Sequence, residues 1–304
     1  MAWNLETFAR YALPLVQSDL TLAKTIAINV SATPGELGGT IDFTSPWVTG
    51  DARVHTEADR RARNAFVFDD LEEVKTPITL SDYVYKGSYL PYDFETFSLT
   101  DAGLRDILST SAKKVADRIN SISSAVVGGV IADVAEEDVV TLGATEDETV
   151  KIVLDAIYDL KLALDERGVD AGDRYVAISP RVSRILVGSN TFRNASVAGD
   201  NDALRKATLG EIAGMTVIQD LGLTGLGMVA YEKYGFGLVI RPKAASRAAG
   251  VESTVVLSED SSMVLNATIG HDINVNADKI IVGSFVGAAK LDPSRSAAVR
   301  FVEA

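Results

Sequence analysis

The chain has 304 residues, 47% of them hydrophobic, enough to fill one large core or two smaller ones. Its 42 Asp and Glu against 29 Lys and Arg leave a formal charge of −13, which opposes tight whole-surface binding to nucleic acid or to an anionic membrane. Cysteine is absent, so disulfides, thiolate nucleophiles, sulfur-ligated zinc and iron–sulfur clusters are excluded together, and stability must come from packing or oligomerisation.

The opening MAWNLETFARYALPLVQSDL lacks the basic start and unbroken apolar run of a secretory signal. No stretch reaches the ~18 apolar residues needed to cross a bilayer, so a cytosolic protein is expected. Residues 1–36 carry isolated large apolar side chains, Trp3 and Phe8 among them, then the strand-like TIAINVSA and the turn pair Pro34-Gly35. Two readings stand equal: an arm that reaches elsewhere, or a helix and strand docked on the chain's own body.

Residues 37–97 read as strands with too little apolar content for a core of their own. The short strand in GGTIDFTSPWVTG, with Trp47 near its end, enters a charged stretch, and the alternating VKTPITLSDYVY returns, with a turn expected at Lys86-Gly87-Ser88. The charged stretch holds Arg53, Arg60, Arg61 and Arg63 among Asp51, Glu57 and Asp59, followed by Asp69, Asp70, Glu72 and Glu73. Guanidinium and carboxylate match in bidentate geometry, so this pattern suits reciprocal pairing between identical neighbours; a solvated charged loop is the equal alternative. An unpartnered strand-rich segment must bury its apolar residues somewhere, and another copy of the chain is the natural place.

An uninterrupted helix is predicted from Asp101, a good N-cap residue, to about Val127, where Gly128-Gly129 weakens it; that is roughly 40 Å of rod. Leu104, Leu108, Val115, Ile119, Ile122 and Val126 form one apolar stripe, broken at Ser111 or Ala112. Arg105, Asp106, Lys113, Asp117 and Asn120 occupy the opposite face. The next segment carries Asp133, Glu136, Glu137, Asp138, Glu146, Asp147 and Glu148 without an intervening base. Their spacing does not match a calcium loop, and a solvated loop is the preferred reading over a metal site.

A second helix opens on the capping-box pattern Thr145 to Glu148, buries Val150, Val153, Ile157, Leu160 and Leu164, and stops at Gly168. A buried strand in RYVAISP, a helix from near Pro180, the strands MTVIQD and LGMVAYEKYGFGLVIRP, and a pair from STVVLSED to MVLNATIGHDINV follow. KIIVGSFVGAAKL is apolar enough for a central strand, and AAVRFVEA closes the chain.

Catalytic signals are weak. Of the two histidines, His55 lies in the charged stretch and His271 beside Asp272, and no G-x-S-x-G elbow presents a serine. Gly222, Gly225 and Gly227 have the wrong spacing for a phosphate loop and precede a strand, so a tight strand connection is expected. The pairs Arg10-Tyr11 and Lys233-Tyr234 are too isolated for a single-strand nucleic-acid platform.

The succession of these pieces resembles the major capsid proteins of tailed bacteriophages, which have the Hong Kong 97-type fold. It runs from the arm through GGTIDF, VKTPITLSDYVY, TDAGLRDILSTSAKKVADRINSISSAVV, DAIYDLKLALDERGV and RYVAISPRVSRILVGSNTF. ATLGEIAGMTVIQD, AYEKYGFGLVIRP and GHDINVNADKIIVGSFVG complete it. The resemblance implies an α+β fold with an N-terminal arm at 1–36, an extended β loop at 37–97 that reaches over a neighbour, and a peripheral domain at 98–174 whose spine helix is 101–127. An axial domain at 175–262 and C-terminal strands at 263–304 that return to the peripheral and axial domains follow.

It further implies hexamers and pentamers closing into an icosahedral shell around double-stranded DNA, a virion component assembled in the host cytoplasm, with no enzymatic activity, cofactor or metal. Scaffolding, portal and decoration proteins are the expected partners besides further copies; packaged DNA makes only weak non-specific contact, and no membrane is involved. Trp3, Phe8, Trp47, Arg53, Arg60, Arg61, Arg63, Asp69, Asp70, Glu72 and Glu73 are the expected intersubunit contacts. Two features depart from the resemblance: no long scaffolding segment precedes the arm, and the lysines nearest the loop tip, Lys75 and Lys86, sit in the return strands, so covalent cross-linking is not expected. The alternatives are an encapsulin-like nanocompartment shell holding an enzyme cargo, and a soluble α/β hydrolase built on residues 145–290 with a deep pocket lined by acids.

Overall fold

The computed structural model describes residues 10, 13, 14, 16, 20–44, 54–68, 75–89, 101–188, 210–244, 251–258, 263–275 and 277–303, excluding the side chains of 101–109, 188 and 278. In chain order the elements are β1 (Ala27–Val30), β2 (Thr40–Thr44), α1 (Glu57–Ala62), β3 (Lys75–Thr79), β4 (Asp82–Tyr89), α2 (Asp101–Ala132), β5 (Val140–Thr141), α3 (Glu146–Glu166) and β6 (Arg174–Ile178). They continue with α4 (Pro180–Gly188), β7 (Glu211–Ile212), β8 (Met215–Gln219), β9 (Gly227–Glu232), β10 (Phe236–Arg241), β11 (Val251–Leu257), β12 (Val264–Asp272), β13 (Ala277–Lys290) and β14 (Ser296–Val302).

Two six-stranded sheets and a two-stranded ribbon result. One sheet has the order β5-β14-β9-β6-β8-β7. Its central strands are buried on both faces, and the alternation of side chains along them separates two cores. Val176 and Ile178 of β6 and Met228 and Ala230 of β9 point into a cluster with Val153, Ile157, Leu160 and Leu164 of α3 and Val182 and Leu186 of α4. Ala177, Val229 and Tyr231 point the other way, into a cluster with Val115, Ala116 and Ile119 of α2.

In the other sheet β13 pairs antiparallel with β10, β12 and β4, and β1 runs parallel to β10. Its inner residues, such as Leu238, Ile240, Ala267 and Val282, join the same α2 cluster. The long helix therefore lies under both sheets, and burial of its one apolar stripe couples them.

Several sequence expectations change. The helix runs on to Ala132 because Gly128 permits close packing: an added Cβ would lie 3.1 Å from the Leu223 side chain, and Val130 and Ile131 anchor the last turn. Ser111 and Ala112 do not break the stripe; both are buried where the helix approaches its neighbours. Asn120 is not on a solvent face: its Oδ1 accepts the backbone N–H of Thr21 (3.1 Å) and Ala23 (3.4 Å), holding the short 3-10 turn Leu22–Lys24 against the helix.

That turn and β1 are docked on the chain's own body, through Leu22, Ala23 and Ile26 and the buried hydrogen bond between Thr25 and Tyr231 (2.6 Å). Lys86-Gly87-Ser88 is not a turn but the interior of β4, which pairs with β13 from Tyr89↔Lys279 to Asp82↔Val286. Between β3 and β4 the chain passes through Leu80-Ser81 without a turn, leaving its pairing with β2 for one with β13.

The segment 37–97 also has a core. Phe43, Ile78 and Leu80 pack with Ala27, Val239 and Phe285 on the outer face of the β13 sheet. The chain supplies the partner that its local composition lacked.

Helix α3 and strand β6, on either side of 174/175, share one core, and β11 and β12, on either side of 262/263, are hydrogen-bonded partners. Long-range pairing joins what local sequence separates.

Candidate assembly surfaces

The β2–β3 ribbon carries the chain away from the body. Its register runs from Thr40↔Thr79 to Thr44↔Lys75, and Pro77 sits opposite Asp42 in this ribbon, which is two-stranded among the described residues, an edge setting of the kind that tolerates proline. Beyond it, residues 54–68 form an exposed tip built on α1.

The local chemistry of α1 is complete in itself. Thr56 Oγ1 accepts from Asp59 N–H (3.2 Å) while Asp59 Oδ2 accepts from Thr56 N–H (2.9 Å), a full capping box. The hydrogen bond from the Thr56 side chain, then those from the Asn64 side chain and the Thr56 backbone, bring the Asp59 carboxyl down to about 2. Arg63 closes the helix in the left-handed region at φ 55°.

Of the expected contact residues, Arg60, Arg61 and Arg63 are in view. Arg60 clasps Glu57 in two hydrogen bonds of 2.8 and 2.7 Å, and Arg61 shares the same carboxylate at 3.3 Å. Arg63 has no ion pair among the described residues. The tip thus holds three guanidinium groups against Glu57 and Asp59. Trp3, Phe8, Trp47, Arg53, Asp69, Asp70, Glu72 and Glu73 lie outside the described residues.

The tip also presents what sequence reasoning passed over. Val54, Phe66, Val67 and Phe68 are strongly exposed, Phe68 at 87% and Phe66 at 67%, and His55 lies against the Phe66 ring at 4.5 Å between centroids. The signal was the short run Phe66-Val67-Phe68 set between charge clusters. Scattered apolar side chains are ordinary on a surface; here three stand in a row, a few residues after Arg60, Arg61 and Arg63.

Other exposed apolar groups include Leu37, Val187, Leu221, Leu257 and Val302, and three pairs. Tyr85 and Tyr89 stand on β4, with Tyr83 stacked on Tyr85 at 5.5 Å and the Tyr89 hydroxyl donating to Asp272 (3.2 Å). Ile273 and Val275 crown the β12–β13 turn beside the Asp272–Lys279 ion pair (3.2 Å). Tyr158 and Leu162 protrude from α3.

An open groove of about 620 Å3 is lined by Glu146, Thr149, Arg181, Arg184, Ile185, Leu226 and Glu303. Its hydroxyl is committed to the backbone: Thr149 Oγ1 donates to Gly143 O (3.0 Å) or Thr145 O (2.9 Å). Gly222 and Gly227 cradle no phosphate. Added Cβ atoms there would meet Ser124 at 2.5 Å and Ile131 at 2.8 Å, so these glycines let the β8–β9 connection lie on α2. Among the described residues no group of three or more His, Asp or Glu is placed to hold a metal ion, and no helix is long and apolar enough to cross a membrane.

No family model and no curated protein matches the sequence. Solved structures do match it in fold. The mature capsid of bacteriophage PhiM1 shares 13% identity at a TM-score of 0.55, over 93% of this chain and 87% of that one. The capsid of cyanophage P-SCSP1u gives 10% and 0.52, over 92% and 87%. The chain has the capsid fold of phage shells. A virus-like particle from Pyrococcus furiosus shares that capsid fold at 13% identity and a TM-score of 0.50, over 97% of this chain and 98% of that one. Within the capsid fold, the β2–β3 ribbon packs on the outer face of the β13 sheet, while α2 lies under both sheets.

Proposed function

We propose that this chain is the major shell protein of a tailed bacteriophage, joined by hexamer and pentamer contacts into an icosahedral capsid around double-stranded DNA. The observation that carries this is the capsid fold running through almost the whole chain, together with an apolar, arginine-bearing tip that its own body leaves uncovered. The β2–β3 ribbon acts as the extended loop that reaches a neighbour, and α2 is the spine that fixes its direction. The role is structural and involves no catalytic step. Each exposed ion pair contributes only ~0–1 kcal/mol, but a shell repeats the contact in every subunit, so reversible contacts allow misplaced subunits to leave. The negative overall charge keeps packaged DNA to weak, non-specific contact.

A second reading is a nanocompartment shell holding a protein cargo. What favours it is the virus-like particle chain of nearly the same extent that shares the fold. Electron microscopy and sedimentation of the purified protein test the shell reading: closed particles or capsomers are expected, and a compact species near 32 kDa under every assembly condition refutes it. Nuclease-resistant DNA inside particles from infected cells separates the first reading from the second, which predicts a protein cargo instead.

A further inference from the structure

Resting on the shell reading, we propose that the outer edge of β2 receives an extended segment of a second copy of this chain as the third strand of the ribbon. The ladder of the ribbon fixes which backbone groups are free. Leu80 N–H donates to Gly39 O (2.9 Å), so Gly39 and Leu80 sit at a hydrogen-bonded position. Such positions alternate along an antiparallel ladder, which makes Ile41↔Ile78 and Phe43↔Thr76 the next two. The N–H and C=O groups of Thr40, Asp42 and Thr44 therefore point away from β3, and none of them has a hydrogen bond among the described residues.

The two edges of the ribbon are not alike. On β3 the outward positions are Lys75, Pro77 and Thr79. Pro77 has no N–H to offer, and the Thr79 carbonyl faces β13, where an added Cβ on Gly287 would lie 2.3 Å from it. That edge is closed. On β2 the outward positions hold neither proline nor lysine, the residues that most often blunt a strand edge, and all three are exposed. The other strand edges suit the role less. β5 and β7 are two residues long, on the four-residue β1 Asn29 O already accepts from Arg241 (2.9 Å), and β11 borders a sheet six strands wide, whereas the ribbon has two.

A second copy is the occupant because a shell sets copies side by side, and Asp42 limits which of its segments fits. In full antiparallel overlap of two β2 edges Asp42 stands opposite Asp42, a like-charge pair that opposes the contact. The added strand is thus a different segment, with an uncharged or basic residue at that position. The contact is heterologous, the kind that repeats into a ring when the rotation closes.

Amide exchange at residue resolution reads the added strand directly. In the unassembled subunit the amides of Thr40, Asp42 and Thr44 are expected to exchange fast and those of Ile41 and Phe43 slowly. In particles assembled from this chain alone the first three should slow roughly a hundredfold or more, so that the alternation disappears. Particles that form while those amides stay fast overturn the inference and leave the shell reading standing, as does protection that appears only when a different protein is added. Wild-type protein that never assembles overturns the shell reading and this inference with it.

A proline on the same edge gives a second test. Asp42→Pro removes one outward N–H and no bond within the ribbon, mirroring Pro77 across the ladder, so the subunit folds, which urea unfolding checks. It is expected to raise the protein concentration needed for assembly roughly tenfold or more, while Asp42→Thr, which keeps the N–H, assembles as the wild type does. A folded Asp42→Pro subunit that assembles at the wild-type concentration, or equal losses in both variants, counts against strand addition.

Discussion

Replacing Gly287 by Ala tests how the extended ribbon is held on the body. Gly287 lies on β13 where the backbone of the β3–β4 connection passes beside it, and an added Cβ would stand 2.3 Å from Thr79 O, 2.9 Å from its carbonyl carbon and 3.2 Å from Leu80 Cα. Non-bonded carbon atoms prefer separations of about 3.5–4.0 Å, so the opposing strand has to retreat by roughly 1 Å.

Overpacking of this kind costs ~1–3 kcal/mol, and the upper end is expected because the obstacle is backbone, which cannot rotate aside like a side chain. The retreat also lifts Ile78 and Leu80, both fully buried, off Val239 and Phe285. Gly129→Ala is the control. Nothing lies within 4 Å of its added Cβ, and it sits inside α2, so the change should stabilise by about 0.5–1 kcal/mol.

Urea unfolding of both variants gives the two signs, and amide exchange should show protection lost over residues 75–89 in the first variant only. If Gly287→Ala stays within about 0.5 kcal/mol of the wild type, the close approach does not hold the ribbon, and the reasoning fails.

Two further outcomes follow from buried and exposed polar groups. Thr25 Oγ1 donates to Leu22 O (2.8 Å), so its bond with Tyr231 has the tyrosine hydroxyl as donor. Tyr231→Phe should therefore cost about 1 kcal/mol, whereas Thr25→Val strands a buried hydroxyl and should cost ~1–3 kcal/mol; a double variant as damaging as the sum would refute the pairing.

Asp59 should titrate near 2 by carbon-detected NMR instead of near its ordinary 3.8, and move back up in Thr56→Val. Because its folded-state value is depressed, the cap's contribution is complete above the ordinary value and is lost as pH falls through about 2, so α1 should fray only in that acid window. A midpoint near 3.8 in the wild type would count against the capping box.

Elements whose evidence is local were legible in the chain. The Thr145–Glu148 box and the apolar spacing of α3 name that helix almost residue by residue, and the succession from ribbon to long helix pointed to the capsid fold before any coordinates. Features that depend on what lies opposite were not. Gly128 reads as a helix breaker until Leu223 is seen against it, and Gly87 reads as a turn until β13 is seen beside it. Asn120 reads as a surface residue until the N-terminal turn arrives to use its carbonyl. Phe66-Val67-Phe68 passed unremarked within a charged stretch until its exposure was seen.

The sequence by itself determined the helices α2, α3 and α4, most strands, the exclusion of thiol chemistry and the sign of the charge, because periodicity, caps and composition act within a few residues along the chain. Only the tertiary structure decided that β4 closes onto β13, that the ribbon has a core beneath it, and that Tyr158 and Leu162 stand exposed on α3. Those are contacts between residues tens to hundreds of positions apart, and their free energy exists only once the sheets have assembled.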